Sequence, residues 1–213
     1  MYFYSLHYIG SLVSEYKATN ERKWLDIAIK IAGRFLIYTK NQDNKIRVFT
    51  NRGGGSADHS ICIRVTALLH FLREYLIIHY FDETASLLLA HVCECGKWLY
   101  NDRNHATNNH GLMVDVALAL VGVSLHNAEG VGYIKKADER LSSLIQDTFD
   151  KDGLANENTI GYHRYNLIKY KEAENLFLAW GLADANYLKI CGTIIDRAET
   201  ALSICCWQDG TVF

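Results

Sequence analysis

The sequence predicts an all-α domain of stacked antiparallel helix pairs, and three observations lead there. Apolar residues recur at helical spacing along almost the whole chain, while strand-like alternation is nearly absent. Among 213 residues there is no proline, which suits long helices with short connections. Polar turns at Asp43-Asn44, Asn101-Asp102, Asp152-Gly153 and Asp209-Gly210 recur about every 50–60 residues, each after a long helical stretch. Each period holds two helices, and stacked helix pairs curve into a superhelix or a toroid. The length suits one domain, residues 1–213, with a substantial core.

In order, FYSLHYIGSLVSEY reads as the first helix, and Asn20 opens a second over ERKWLDIAIKIAGRFLIYTK. NQDNKIRVFTNRGGGSA reads as a polar, glycine-rich connection, with at most a short hairpin around Lys45 to Thr50. Ser56 or Asp58 is placed to cap a third helix through Tyr80, and Asp82 a fourth through about Tyr100. The loop NDRNHAT leads into a helix from Asn109 to about His126, capped by Asn108 or Asn109. Its Met113, Val116, Ala117, Leu120 and Val121 form a buried stripe. A further helix is expected from Tyr133 to Phe149, one from the Tyr162-His163 pair to Gly181, and a last from Asp184 to Cys206.

Several function classes drop out. A net charge of −2 gives no bulk attraction to nucleic acid. No apolar run approaches the roughly 18 residues a membrane span needs, since Arg73 and Glu74 interrupt LLHFLREYLIIHYF. MYFYSLHYIG lacks the basic region and cleavage site of a signal peptide, so the chain as it stands reads as cytoplasmic. The six cysteines do not form a disulfide pattern: Cys93 and Cys95 project from different helix faces, and Cys205 and Cys206 are adjacent. His91, Cys93 and Cys95 read as core groups rather than metal ligands. There is no G-x-S-x-G elbow, Walker loop or HExxH. Asp115 and Glu157 are poorly placed as a glycosidase pair, one inside a helix and one in a loop.

Two polar clusters at loop-to-helix junctions stand out: TNNHG before the helix at Asn109, and ENTIGYHRY from Glu157 to Tyr165. In this order they resemble the heparinase II/III-like and alginate-lyase group of polysaccharide lyases. Members carry an NNHG…ALAL helix start, then an E-N-S/T-x-x-YH element some fifty residues on. ADHSICIRVTALL resembles that group's W-x-D-H-A-x-x-x-R helix, with Ser56 where an aromatic residue stands. The resemblance selects an incomplete (α/α) toroid. It implies β-elimination on uronic-acid-containing anionic glycans, with no cofactor and no metal. Asn109 would neutralise the uronate carboxylate, and His110 would assist this or transfer a proton. Tyr162 would serve as acid and, when ionised, as base. His163, His59, Arg64, Arg103, Arg164 and Asn108 are the substrate-contact candidates, with Arg52 nearby. On the residues alone, each has a structural reading beside it: a helix cap for the asparagines, packing for Tyr162 and His163, an ion pair for Arg64. Larger relatives continue into a β-sandwich that supplies another histidine. Nothing here corresponds to it, so the chain reads as a truncated toroid domain. A glycan-binding remnant without catalysis and a uronate epimerase are the alternatives to a lyase.

Overall fold

A computed structural model describes residues 3–50, 57–157 and 159–205. A 3₁₀ turn at Phe3–Ser5 leads into α1 (His7–Thr19), followed by α2 (Arg22–Thr39), α3 (Gln42–Thr50) and α4 (Ala57–Ile78). Then come α5 (Glu83–Tyr100), a 3₁₀ turn at Asp102–Asn104, α6 (Asn109–Leu125), α7 (Ala128–Thr148), α8 (Ile160–Ala179) and α9 (Asn186–Ile204). Among the described residues the only pairing of strand type is an isolated bridge between Phe149 and Ala155. No helix among them is long and apolar enough to cross a membrane.

The helices form an incomplete (α/α) toroid. Four of them, α1, α4, α6 and α8, run parallel along its inner face, and cross-helix contacts fix their register. Tyr4 accepts from Arg64, Gly10 lies against Ala67, and Lys17 pairs with Glu74, so α1 and α4 advance together. His110 meets Asp58 and Asp115 acts on Cys62 further along, so α6 runs with α4. Helix α7 is antiparallel to α6 through Gly122–Gly130 and Asp115–Arg140, and α9 follows α7 from Asp138–Tyr187 towards Lys151–Arg197. Because α8 is antiparallel to α9, it runs with α6 and meets it at Tyr165–Met113. The outer helices return antiparallel. Tyr187 on α9 donates to Tyr170 on α8, while His163 donates to Ala198 further along.

Side-chain caps set the starts of α5, α6, α7 and α8. Asp82 accepts from the Ala85 N–H, Asn108 from His110, Asn127 from Gly130 and Thr159 from Tyr162, each satisfying a donor that the first turn leaves open. Five expectations need correction. Asn20, expected to open the second helix, instead closes α1 in a left-handed conformation with its N–H donating to the Tyr16 carbonyl, and Glu21 precedes α2. The segment expected to be a loop or hairpin is largely α3; this short helix buries Val48 and sets Phe49 against His91. The seventh helix begins at Ala128, five residues earlier than expected, because Asn127 caps it. Asp58 lies within the first turn of α4 and turns its carboxylate sideways, so it is not the cap. The first α-helix begins at His7, behind the 3₁₀ turn. Ser56, the glycine run and Cys206 lie outside the described residues.

Candidate functional site

The inner helices carry their groove-facing residues at intervals of three, four and seven. Beneath the rim these residues line a cavity of about 800 Å³: Ile63, Thr66, His70 and Arg73 from α4, Met113, Val116 and Leu120 from α6, and Lys169, Glu172 and Leu176 from α8. The expected buried stripe of α6 is therefore divided. Ala117 and Val121 enter the core, whereas Met113, Val116 and Leu120 are only partly buried and face the cavity. Extending the stripes towards the helix starts reaches polar residues: His59 on α4 and Asn109 on α6 one turn back, and on α8 Tyr165 one turn back from Lys169 with Tyr162 a turn further. On α1 the equivalent place belongs to His7, which lines the cavity itself.

The contact between α6 and α8 fixes the height of this rim. Tyr165 donates to Met113 Sδ at 3.5 Å. Asn109 precedes Met113 by four residues and Tyr162 precedes Tyr165 by three, so they stand about 6 Å and 4.5 Å above this contact. Both therefore lie on the helix-start side of this contact, on neighbouring parallel helices whose axes pack at about 8–10 Å. Asn108 takes the cap, which leaves the Asn109 amide uncommitted among the described residues. Tyr162 is half exposed. The starts of four parallel helices also turn their positive dipole ends to this rim, favouring an anion there.

Next to Asn109, His110 Nδ1 lies 2.7 Å from Asp58 Oδ2. The His59 ring stands edge-on to His110, with centroids 4.3 Å apart. Burial alone would push the Asp58 carboxyl up, but hydrogen bonds from His110 and the His59 N–H, with both imidazoles beside it, hold it below the usual carboxylate range. Asp58, His59 and His110 each offer one ligand atom, all within 4.8 Å of one another. A carboxylate with two imidazoles is a donor set that suits zinc.

Comparison with solved structures places this arrangement among known folds. The architecture is similar to that of heparinase III. That structure superposes with a TM-score of 0.76 at 16% identity, covering 97% of this chain and 31% of the other. A mutant of the heparan sulfate lyase HepC from Pedobacter heparinus gives 0.75 at 16% identity, with 98% and 32% covered. HepC itself gives 0.70 at 14% identity, again with 98% and 32% covered. The chain thus spans about a third of the length of these proteins. No family model matches the sequence, and a search of the curated proteins finds no match.

Within this heparinase-like toroid, several expected contact residues prove to be structural. Arg64 is fully buried; it donates to the Tyr4 and Val48 carbonyls and lies over the Phe35 and Phe49 rings. It ties α4 to the 3₁₀ turn and α3, and cannot line a groove. His163 is buried as well. Its Nδ1 accepts from the Ala155 N–H and its Nε2 donates to the Ala198 carbonyl, so neither nitrogen is free for a substrate. The Asn108 side-chain oxygen is spent on its cap. Arg164 lies two residues from Tyr162, about 200° around the helix. It shares the face of Lys171, which pairs with Glu199 on α9, so it looks away from the groove. Arg103 is exposed beside the α6 entry loop, and Arg52 lies outside the described residues.

The α5–α6 loop is held from below. Asp115, fully buried, lies 2.9 Å from His105 Nε2 and 3.4 Å from Arg140, which also grips Asp102 and the Leu99 carbonyl. Gly111 is required here: a Cβ at that position would fall 1.8 Å from the Ala106 carbonyl oxygen. Sequence reasoning took Asp58 only as a cap and passed over His7 and Tyr165. Helical spacing back from the cavity stripes would have found the last two.

Proposed function

We propose that the protein is a polysaccharide lyase that cleaves uronic-acid-containing glycans by β-elimination. The observation that carries this reading is the placement of Asn109 and Tyr162 at the head of adjacent groove stripes, with His110 beside them, in a toroid similar to heparinase III. Heparan sulfate is accordingly the first polymer to test. Removing the proton beside a carboxylate builds negative charge on it. Asn109 meets that charge with an amide donor that cannot compete as a base. The positive helix ends add to the same effect. The C–H electron pair becomes the new C=C bond, and the C–O pair leaves with the glycosidic oxygen. The Tyr162 phenol supplies that oxygen's proton, and its exposure lets it reach a chain lying across the rim. Arg103 is free to meet further sulfate or carboxylate groups.

Incubation with heparan sulfate and other uronate polymers should raise ultraviolet absorbance from the unsaturated product. Tyr162→Phe should lower kcat by about 10²–10⁴-fold, and Asn109→Ala by about 10²–10³-fold. Arg164→Ala and His163→Gln test the corrected assignments: Arg164→Ala should leave kcat unchanged, while His163→Gln should act through stability. Saturated reducing ends in place of the chromophore would establish hydrolysis and remove the lyase reading. Because the chain spans about a third of its structural neighbours, glycan binding without catalysis is the second reading; retention on immobilised heparan sulfate with no new chromophore would favour it.

A further inference from the structure

Asp58 and His110 come from the first turns of two different helices, 52 residues apart in sequence. Oδ2 of Asp58 is 2.7 Å from His110 Nδ1, while Oδ1 accepts from the His59 N–H at 2.7 Å. A carboxylate is ionised at neutral pH and only accepts, and both Asp58 oxygens are so engaged here. The proton in the contact therefore sits on His110 Nδ1. A neutral imidazole protonated there has its lone pair on Nε2. Among the described residues nothing hydrogen-bonds that nitrogen, and the side chain is 36% exposed. The His59 ring, at 89° to that of His110, limits its rotation.

We propose that Asp58 is a positioning residue that fixes His110 in the Nδ1–H tautomer, making His110 Nε2 the proton acceptor at the mouth of the groove. For its chemistry this rests on the lyase reading. It separates two roles that the adjacent Asn109 and His110 would otherwise share. A lone pair on Nε2 cannot donate to the uronate carboxylate, so Asn109 carries that contact. Nε2 takes the proton beside the carboxylate and the ring becomes imidazolium, still facing the Asp58 carboxylate. Tyr162 gives its proton to the leaving oxygen and becomes phenolate. Proton return from His110 to Tyr162 through water restores both groups. A divalent cation among Asp58, His59 and His110 would instead replace the Nδ1 proton. The positive ends of α4 and α6 oppose that.

The test uses the full chain labelled with ¹⁵N at histidine, with the His110 signals assigned by their loss in His110→Gln. Imidazole ¹⁵N–¹H correlation spectra at neutral pH should show the proton on Nδ1. In Asp58→Asn the amide can donate to Nδ1 instead, so the proton should move to Nε2. On a uronate polymer the same variant should lose kcat by on the order of 10²–10⁴-fold, as for other wrong-tautomer changes, with KM little altered. Asp58→Glu, which keeps a carboxylate, should recover part of both readouts. Wild-type protein with its proton on Nε2 would overturn the proposal. So would an unchanged kcat in Asp58→Asn, or stoichiometric zinc binding by calorimetry that disappears in His59→Ala. The tautomer is read without substrate. An Nδ1 proton lost in Asp58→Asn supports the positioning even where no polymer is cleaved, an outcome that overturns the lyase reading alone.

Discussion

Asp115→Ala should lower the unfolding free energy by about 3–5 kcal/mol, the range for breaking a buried, hydrogen-bonded charge pair by removing one partner. Asp115 has no exposed surface and sits inside α6. Burial pushes its carboxyl up, while His105 and Arg140 act against that shift. Deleting the carboxylate leaves Arg140 nearly buried with one partner fewer, and leaves His105 with no acceptor on α6. The damage should reach the rim. His105 carries the neighbouring Ala106 carbonyl against Gly111, which sits directly after Asn109 and His110. Urea denaturation measures the stability loss, and kcat on a uronate polymer measures the effect on the rim. Asp115→Asn keeps the shape and a hydrogen-bonding oxygen, so it should cost less than the alanine. A loss below about 1 kcal/mol in Asp115→Ala would mean the network contributes no more than a surface ion pair.

Asp115 also shows why part of the site was legible in the sequence and part was not. Local signals travelled well. Asp82 caps the helix it was expected to cap, and Asn108 caps α6 as one of the two expected candidates. Both choices depend only on a short polar side chain preceding an apolar helical pattern. The all-α class followed from periodicity, and the toroid from the order of three motifs. What failed was anything set by contacts far away in the chain. Arg64 was a groove candidate because it closes the segment that resembles the D-H-A-x-x-x-R motif, yet it packs under Tyr4 and Val48, residues 60 and 16 positions away. His163 adjoins Tyr162 in sequence, but helical geometry turns the two about 100° apart, one to the core and one to the rim. The α3 segment lacks a strong apolar face of its own. It is helical because Val48 and Phe49 find partners on α4 and α5.

His91 should make the fold lose stability in acid, by about 1.4 kcal/mol per pH unit below its ordinary range. The ring is almost completely buried between Phe35 and Phe49, at 5.0 and 5.7 Å between centroids. Its Nε2 has no hydrogen-bond partner among the described residues. Burial, then the charges of Arg64 and Lys45, lower its pKa from 6.5 to about 3. The unfolded chain takes up a proton as pH falls through 6.5, while the folded chain stays neutral until about 3. Between those values the unfolded state binds more protons, so stability rises with pH, is complete above the upper value and is lost on the way down. Two units below that value the loss from this group alone reaches about 3 kcal/mol. Glu94 offers no rescue, since its carboxylate stands 3.9 Å from Nδ1 and is itself part exposed. Carboxylates elsewhere also respond to acid, so the decisive measurement is a difference. His91→Leu keeps an apolar group of similar size between the two phenylalanines and has nothing to protonate. Urea unfolding of both proteins from pH 7 to 4.5 should show the wild type falling more steeply, by the slope of one proton. Parallel curves would show that His91 is protonated in the fold, and that its place between the rings holds a charge.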